Sequence, residues 1–599
     1  MVVSFDKFGK YEAPTMILCD PGSVLSNGVP TMSHGEIPFV TDLETVFSFN
    51  EMSEINFRTY YVPTNQNGWL KDDAASFVSG IFNKLEKYRY IYLVGYGYFR
   101  IADVKDTTQD ATRTKDVRAV SCDVELTKTL LPYIQNGTYP ITGHNNDTGM
   151  DGIIGLAISN APFWSVGHID EDLLTLNRTF NDVDATKDVY TFLTEDIQEA
   201  FECIVLFDIN ERVVDVYSKS NVTVDTNIHL AREDLIEMLE ISEPSDGPYT
   251  GYRVFGEDAI SISAVNPIGG NVIYNFDNYL SWMPDTLKQK VINWEQAVAD
   301  IESSYMSISL EYFTLSENLT NLMAEIDRIN ICKEIYQKCY SNVQATSSSV
   351  PGVQCNDEIA KYGESPISLT AYAEDLLSAL SVRISEKEAD LAAAVAAYDE
   401  LEATVAAKKA ERDQMYNSVS FDTYFTASEY AILSSYMFEK SHTDTYLALD
   451  NNVDISAKLI NLHIIYDRAK KELSDAAIPL KQYAITTESF IFEERFLPWA
   501  EQLNTGCAIN VETGDYIVEK IFLSKIEVNY EDRSTRFTFG NKIEKTGRKS
   551  LFDDLFENVV TKEVVERSDE NYVDNDIYIV TQDGAFLTTD TNKYLVCKE

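Results

Sequence analysis

The residues able to do covalent or metal chemistry are few and far apart. Eight cysteines (Cys19, Cys122, Cys203, Cys332, Cys339, Cys355, Cys507 and Cys597) and six histidines (His34, His144, His168, His229, His442 and His463) are spread over 599 residues. A cysteine hydrolase needs a thiolate beside an imidazole base. Cys507 and Cys597 are the cysteines of the C-terminal stretch, and no histidine follows His463, so that stretch holds no self-contained pair. A zinc peptidase needs two or three His or Cys ligands held together, as in HExxH, and these histidines are isolated from one another in sequence. Glycoside cleavage needs two carboxylates; with 96 acidic residues, a choice such as Glu494, Asp515 or the Glu531-Asp532 turn has no specificity without geometry.

The remaining motifs read as structural. His168, in Gly167-His168-Ile169-Asp170, is expected to be a packed strand-end or turn residue. The polar runs 145–151 and 569–576 lack the Asp-x-Asp-x-Asp-Gly order with Glu at the twelfth place, so they read as solvated loops rather than calcium sites. Gly95 and Gly97 are followed by neither a helix start nor Lys-Ser/Thr, which excludes a phosphate cradle. The sequence therefore points to no catalytic residue, no metal ligand set and no cofactor. Cys332 and Cys339 lie seven apart, on one helix face, with Cys355 close by; a disulfide here would form only if the protein ends up outside a cell.

Charge bounds the partners. Forty-nine basic residues against 96 acidic give a net charge of −47. A protein that wraps phosphates needs Lys and Arg at the contact surface, so nucleic acid is not expected as a bound ligand. Acidity of this size would let DNA pass close by without sticking, and it also keeps a large particle soluble. No stretch approaches the ~20 apolar residues of a membrane span, and the opening MVVSFDKFGKYEAP has no basic region followed by an apolar core. The expectation is a soluble chain made in the cytoplasm, with roughly four domains.

The elements that must position everything else begin with one long pattern. From Leu287 through Val291, Trp294, Val298, Ile301 and Tyr305 to Ile329, apolar residues recur at steps of four and three, a coiled-coil seam. A second seam runs from Leu380 to Val405, with Lys387 as its polar interruption. The Ser/Pro/Gly-containing stretch 347–366 between them predicts an antiparallel hairpin whose first arm reaches ~60 Å. Trp294, Tyr305 and Tyr312 are bulky for a two-helix core, which predicts cover by later helices or by neighbouring chains.

Both flanks read differently. Residues 1–130 alternate short apolar runs with turns, and YRYIYLVGYGYFRIADV (88–104) reads as two strands around Gly95 and Gly97, with an amphipathic helix over 73–85. In 131–285, a helix is expected over 189–200, a hairpin around Asp208-Ile209-Asn210-Glu211, a further helix over 232–239 and a strand over 251–264. Helices are expected over 427–440, 455–473 and, kinked at Pro498, 489–503; strands over 507–539 suit a small barrel or sandwich. The tail 561–599 is polar with two late strands, 577–581 and 594–597.

The order of several short motifs carries a resemblance. Trp164-Ser165-Val166-Gly167-His168-Ile169-Asp170, Arg178-Thr179-Phe180, Phe201-Glu202-Cys203-Ile204-Val205-Leu206-Phe207-Asp208, Tyr252-Arg253-Val254-Phe255-Gly256 and Ile526-Glu527-Val528-Asn529-Tyr530, followed by Phe537-Thr538-Phe539-Gly540-Asn541, resemble the tail-associated hub proteins of phages infecting Gram-positive bacteria, a family that includes prophage endopeptidase tail proteins. It covers about residues 80–290 and 500–560.

The resemblance implies an α+β multidomain chain with tube-like antiparallel β-barrel hub domains and an inserted helical coiled coil. Its implied parts are a β-barrel hub domain (1–130), an α+β hub region (131–285), the coiled-coil hairpin (286–420), a helical return (421–505), a C-terminal β hub domain (506–560) and a short β tail (561–599). It further implies a homotrimer in the virion, at the tail tip, that closes the channel, with a distal tail ring above, the tape-measure protein inside, and receptor-binding proteins or host cell wall within reach. A peptidoglycan-degrading enzyme, a receptor-binding adhesin and the hub of a phage-tail-like bacteriocin stand as alternatives.

Overall fold

The long seam folds into an antiparallel helical rod whose first arm is longer than the ~60 Å expected. The computed structural model describes residues 4–541, except 7–8, 50, 62–78, 110–111, 143–151, 184, 232–235, 243–247, 257–259, 369–371, 448, 450–453, 480, 488–489 and 515–516, and beyond them 577–578 and 596–597. Helix α1 (Asp285–Thr346) runs unbroken for 62 residues, about 93 Å at ~1.5 Å per residue. Ser347 ends it in the left-handed region (φ 51°), and Pro351 opens α2 (Pro351–Ala360), a helix inside the stretch expected to be a plain turn. Helix α3 (Ala373–Val419) returns antiparallel: Trp294 Nε1 donates to the Val419 carbonyl (2.7 Å) at the base, and Lys408 pairs with Glu311 (2.7 Å) further out.

Most seam residues between Tyr312 and Ile326 are only half-buried, as two helices without a third would leave them. The ends are better covered. At the tip, Tyr336, Val343, Ile359, Leu376 and Leu380 close a small core. Near the base, Met306, Leu310 and Phe313 pack against the core beneath α5 (Ile455–Ala476), while Arg412 of α3 lies over the rings of Tyr305, Tyr312 and Phe313. The bulky seam residues thus find cover within one chain.

The flanks of the rod join in one 13-stranded sheet. Its first half uses β1 (Met16–Cys19), β2 (Ser33–Glu36), β3 (Val40–Ser48), β4 (Glu54–Tyr60), β5 (Tyr90–Leu93), β6 (Gly97–Gln109) and β7 (Thr112–Ser121), in the order β2-β1-β5-β6-β7-β4-β3. Between the halves sits a small sheet in which β8 (Ser165–Ile169) pairs in parallel with β10 (Val213–Ser218), and β10 pairs antiparallel with β9 (Cys203–Asp208). The second half uses β11 (Val224–Leu230) and β12 (Ile236–Ser242) from before the rod. A further small sheet joins β13 (Gly251–Phe255), β14 (Val272–Tyr274) and β15 (Glu439–Thr443), with β13 and β15 parallel across the base of the rod. After the rod come β16 (Gln482–Thr487), β17 (Cys507–Gly514), β18 (Ile517–Asn529) and β19 (Ser534–Gly540), giving the order β12-β16-β19-β18-β17-β11.

In both halves the strands at the two ends of the path are consecutive in sequence: β2 and β3 in the first, β11 and β12 in the second. Neither pair is hydrogen-bonded as a ladder, so neither half closes into a barrel among the described residues. One apolar core, with Leu18, Ile91 and Phe99 from the first half and Tyr483, Ile509 and Phe537 from the second, runs through both.

Three expectations are corrected. The expected helix over 232–239 is strand β12 over its described part; the helical i, i+3 spacing of Ile236 and Leu239 arises because a register shift between Ile236 and Met238 turns both toward the core. The expected helix over 427–440 stops early: α4 (Ala427–Leu433), closed at its start by a Thr426–Glu429 capping box, gives way to a 3₁₀ turn and then to β15, whose pairing with β13 wins over helical spacing. In the expected helix over 489–503, Pro498 starts a single turn (Leu497–Ala500) instead of kinking a longer one, and Phe490–Phe492 and Glu494–Phe496 are 3₁₀ turns.

Other elements match the pattern reading wholly or in part. The helix over 189–201 is present, with a π-helical stretch at Phe192–Ile197, and the turn at Asp208–Glu211 joins β9 to β10. The strand expected over 251–264 is shorter than expected: β13 ends at Phe255, and Ile262–Ala264 form a 3₁₀ turn instead. The helix expected over 73–85 is described only at 79–84, and of the late strands only Ile577–Tyr578, paired with Val596–Cys597. Both runs weighed as calcium loops lie outside the described residues. Among the described residues, no helix is long and apolar enough to cross a membrane.

Candidate functional site

The chemistry-bearing residues do not converge. Among the described residues, no three or more His, Cys, Asp or Glu side chains group as metal ligands. His34 faces Lys84 (3.0 Å), Arg89 (2.8 Å) and Asp20 (3.0 Å); His442 faces Glu472 (3.7 Å) and His463 faces Asp467 (3.4 Å). His168 has a 53 % exposed side chain paired with Asp170 (2.8 Å). The Ser218 hydroxyl donates to Asp170 (3.1 Å) as well, so the carboxylate ties two chain segments together. Cys507 is buried in β17, which pushes its thiol above the usual range. Glu531 accepts the Asp42 N–H (2.9 Å) and so fixes the start of β3, Asp532 N–H donates to Asn529 within the same turn, and Glu494 packs at Gly9. Asp515 lies outside the described residues.

What does converge is a set of joints. The first is β18, which serves two neighbours along one edge. Its N-terminal part pairs with β17 (Ala508↔Phe522 to Gly514↔Ile517), and its C-terminal part pairs with β3 (Lys525↔Ser48 to Asn529↔Glu44). The handover falls at Leu523–Ser524, where the Gly506 N–H donates to Leu523 O (2.7 Å) and the Phe49 N–H donates to Ser524 O (2.8 Å). A register shift against β19 at the same point frees the Ser524 hydroxyl to donate to Thr538 O (2.9 Å). Gly506 needs φ +88°, and a Cβ on it would lie 2.6 Å from the Phe49 ring. Below the seam, Tyr530 meets Thr45 Oγ1 (3.3 Å), and burial pushes its phenol up to about 12. A cleft of about 470 Å³ lies over the β2–β3 link, lined in part by Met16, Phe39, Thr41 and Tyr530.

A second joint holds the β9–β10 turn on the first half-sheet. Gly97 leaves room for Ile209, whose backbone would lie 2.8 Å from a Cβ, and the Tyr98 N–H donates to Ile209 O (3.0 Å). Arg212, 2 % exposed, lies over Tyr98 (4.6 Å to the centroid) and Tyr90 (5.6 Å), donates to Ser23 O (2.6 Å) and faces Glu125 (3.5 Å). Its charge is thereby solvated by a carbonyl, a carboxylate and two π faces, as a buried guanidinium requires.

The third joint fixes the rod. Trp294 stacks on Phe421 (4.8 Å), and Lys290 pairs with Glu429 (2.5 Å). Arg468 of α5 pairs with Asp444 (2.5 Å) and Glu202 (3.1 Å) and donates to Glu199 O (2.7 Å), while Lys470 pairs with Glu302 of α1 (2.6 Å). One helix thus ties the middle region to the rod. At the tip, Glu364 receives Arg328 (3.1 Å) and Lys387 (2.9 Å), which explains the polar interruption of the second seam.

Sequence reasoning missed Gly506, Arg212, Arg412 and Arg468. Arg412 carried a usable signal, because it lies one helical repeat beyond the last apolar seam residue, Val405, on the face turned to the aromatic arm. The others act across breaks in the sequence that no local pattern reports.

No family model matches this chain, and no curated protein does. The solved structures similar to it include the prophage tail protein gp18 from Listeria monocytogenes (8 % identity, TM-score 0.39, covering 92 % of this chain and 99 % of that one) and a tail protein from Neisseria meningitidis (8 %, 0.39, 88 % and 97 %). A Francisella PdpA–VgrG complex is also similar (7 % identity, TM-score 0.35, covering 90 % of this chain and 53 % of that one). Phage tail proteins, the class to which the sequence motifs point, thus stand among its structural neighbours.

Proposed function

We propose that this chain is a structural, non-enzymatic hub at the distal end of a phage tail or tail-like tube, assembled as a homotrimer around the channel. The observation that supports this reading best is the pair of half-sheets joined through β18, each with consecutive strands at the two ends of its path. Each half-sheet serves as the wall of a tube, so three chains offer six walls to a six-fold ring above them. The symmetry mismatch is bridged inside each chain. Three copies carry a charge of about −141, which lines the channel with like charge to DNA and lets DNA slide past during ejection. The distal tail ring docks above, the tape-measure protein ends inside, and the rod projects toward receptor-binding proteins or the cell wall.

The test is mass in solution. Light scattering on the purified chain should give three copies, and replacing residues 315–404 with a short Gly/Ser turn, which removes the outer rod between facing arms, should leave the trimer intact. A monomer, or a trimer that falls apart with the outer rod, contradicts the reading.

A further inference from the structure

The rod tip holds two cysteines on different helices in one apolar core. Cys339 of α1 is 6 % exposed and Cys355 of α2 is 1 % exposed, and both are free thiols. They share that core with Tyr336, Val343 and Ile359, and each thiol shifts the ionisation of the other, lowering Cys339 and raising Cys355. Pairing them asks α2 to bring the two sulfurs to the ~2.05 Å of a disulfide within a core they already share. The segment between them turns through Ser347 and Pro351, and Asn356 ties the middle of α2 by two hydrogen bonds to the Ile367 backbone (2.7 and 2.9 Å). Cys332 belongs to the same core but lies two turns down α1 from Cys339, about 10 Å away along one helix, too far to join it.

We propose that Cys339 and Cys355 form a thiol–disulfide staple, open in a reducing compartment and closed by exchange with a low-molecular-weight disulfide once the protein is outside it. The Cys339 thiolate attacks one sulfur of the reagent and releases one thiol. Cys355 then attacks the mixed disulfide at the Cys339 sulfur and releases the second. Two protein S–H bonds give one S–S bond, and the two electrons leave on the reagent, now two thiols. The order follows from the mutual interaction of the pair, which favours the thiolate at Cys339 and disfavours it at Cys355. Closure encloses the α1–α2 turn in a loop of about 15 residues and fixes the end of the rod. The staple does not rest on the hub reading, and its failure would leave that reading untouched.

The sequence supplies a clean readout. Lys338 and Lys361 bracket both cysteines, and trypsin therefore releases 339–361 as one peptide that excludes Cys332. The folded full chain is treated with oxidised glutathione, quenched by alkylation, digested without reductant and weighed. The expected peptide is lighter than the dithiol form by two hydrogens, unalkylated, and returns to the dithiol on reduction; Cys355→Ser should instead hold a glutathione adduct on Cys339. The same reagent on the urea-unfolded chain should close this loop at least tenfold less completely, because the fold no longer holds the thiols together. A folded chain whose 339–361 peptide carries two alkylated thiols, a lasting adduct or a link to another cysteine overturns the proposal, as does equal closure in urea.

Discussion

Gly506 and Phe49 occupy adjacent places along β18, one backbone N–H on Leu523 and the other on Ser524, with the Phe49 ring filling the space a Gly506 side chain would need. Residues from opposite ends of the chain thereby share one strand, and the two half-sheets cannot be separated without breaking the Phe49–Ser524 bond and the β3–β18 ladder.

Gly506→Ala should therefore destabilise the chain by about 2 kcal/mol or more, from left-handed backbone strain and the ring clash together. Thermal unfolding checks this. Adding Phe49→Ala removes the clash but not the strain, so the double variant should lose less than the sum of the singles.

Arg412→Ala should loosen the rod where α3 crosses Tyr305, Tyr312 and Phe313, at a cost of about 1–2 kcal/mol from lost cation–π and packing interactions. Hydrogen exchange should rise across 305–313 and 405–416 and stay unchanged in the half-sheets. Arg412→Lys should fall between, since an ammonium lacks the flat face that covers the rings.

Glu295 supplies a pH dependence. Burial, with Asp277 nearby, pushes its carboxyl up to about 7, although it accepts the Phe276 N–H (3.1 Å). The folded state holds this proton more tightly than the unfolded chain, so the contribution is present below the ordinary Glu range and is lost as pH rises through about 7. Glu295→Gln keeps the site neutral. It should raise the melting temperature at pH 8, by an amount corresponding to about 2 kcal/mol, and change it little at pH 5.

Arg468→Ala should leave Asp444, which is almost fully buried, without its cation and cost about 3 kcal/mol. Limited proteolysis should then open the link between α5 and the 199–202 segment before the rod itself melts. Arg468→Ala with Asp444→Asn should recover part of the loss.

Local periodicity made the rod and most strands legible. The four-three step from Leu287 gave α1, the glycines at 95 and 97 gave the β5–β6 turn, and Asp208–Glu211 gave the β9–β10 turn. Where the reading failed, a distant partner overrode local spacing: β16 captured Ile236–Ser242, and β13 captured Glu439–Thr443. The joints were least legible. Nothing near Gly506, Arg212 or Arg468 announces Phe49, Tyr98 or Asp444. Their partners lie across the rod insertion or between separate sheets, so only the fold brings them together.

The central claim is tested most directly by electron cryomicroscopy of tail or tail-like particles made by the producing cell. The account predicts three copies of this chain at the distal end of the tube, with six β-walls facing the last ring and the rods beyond them. A particle that lacks the chain, or carries it elsewhere than at that end, would contradict it.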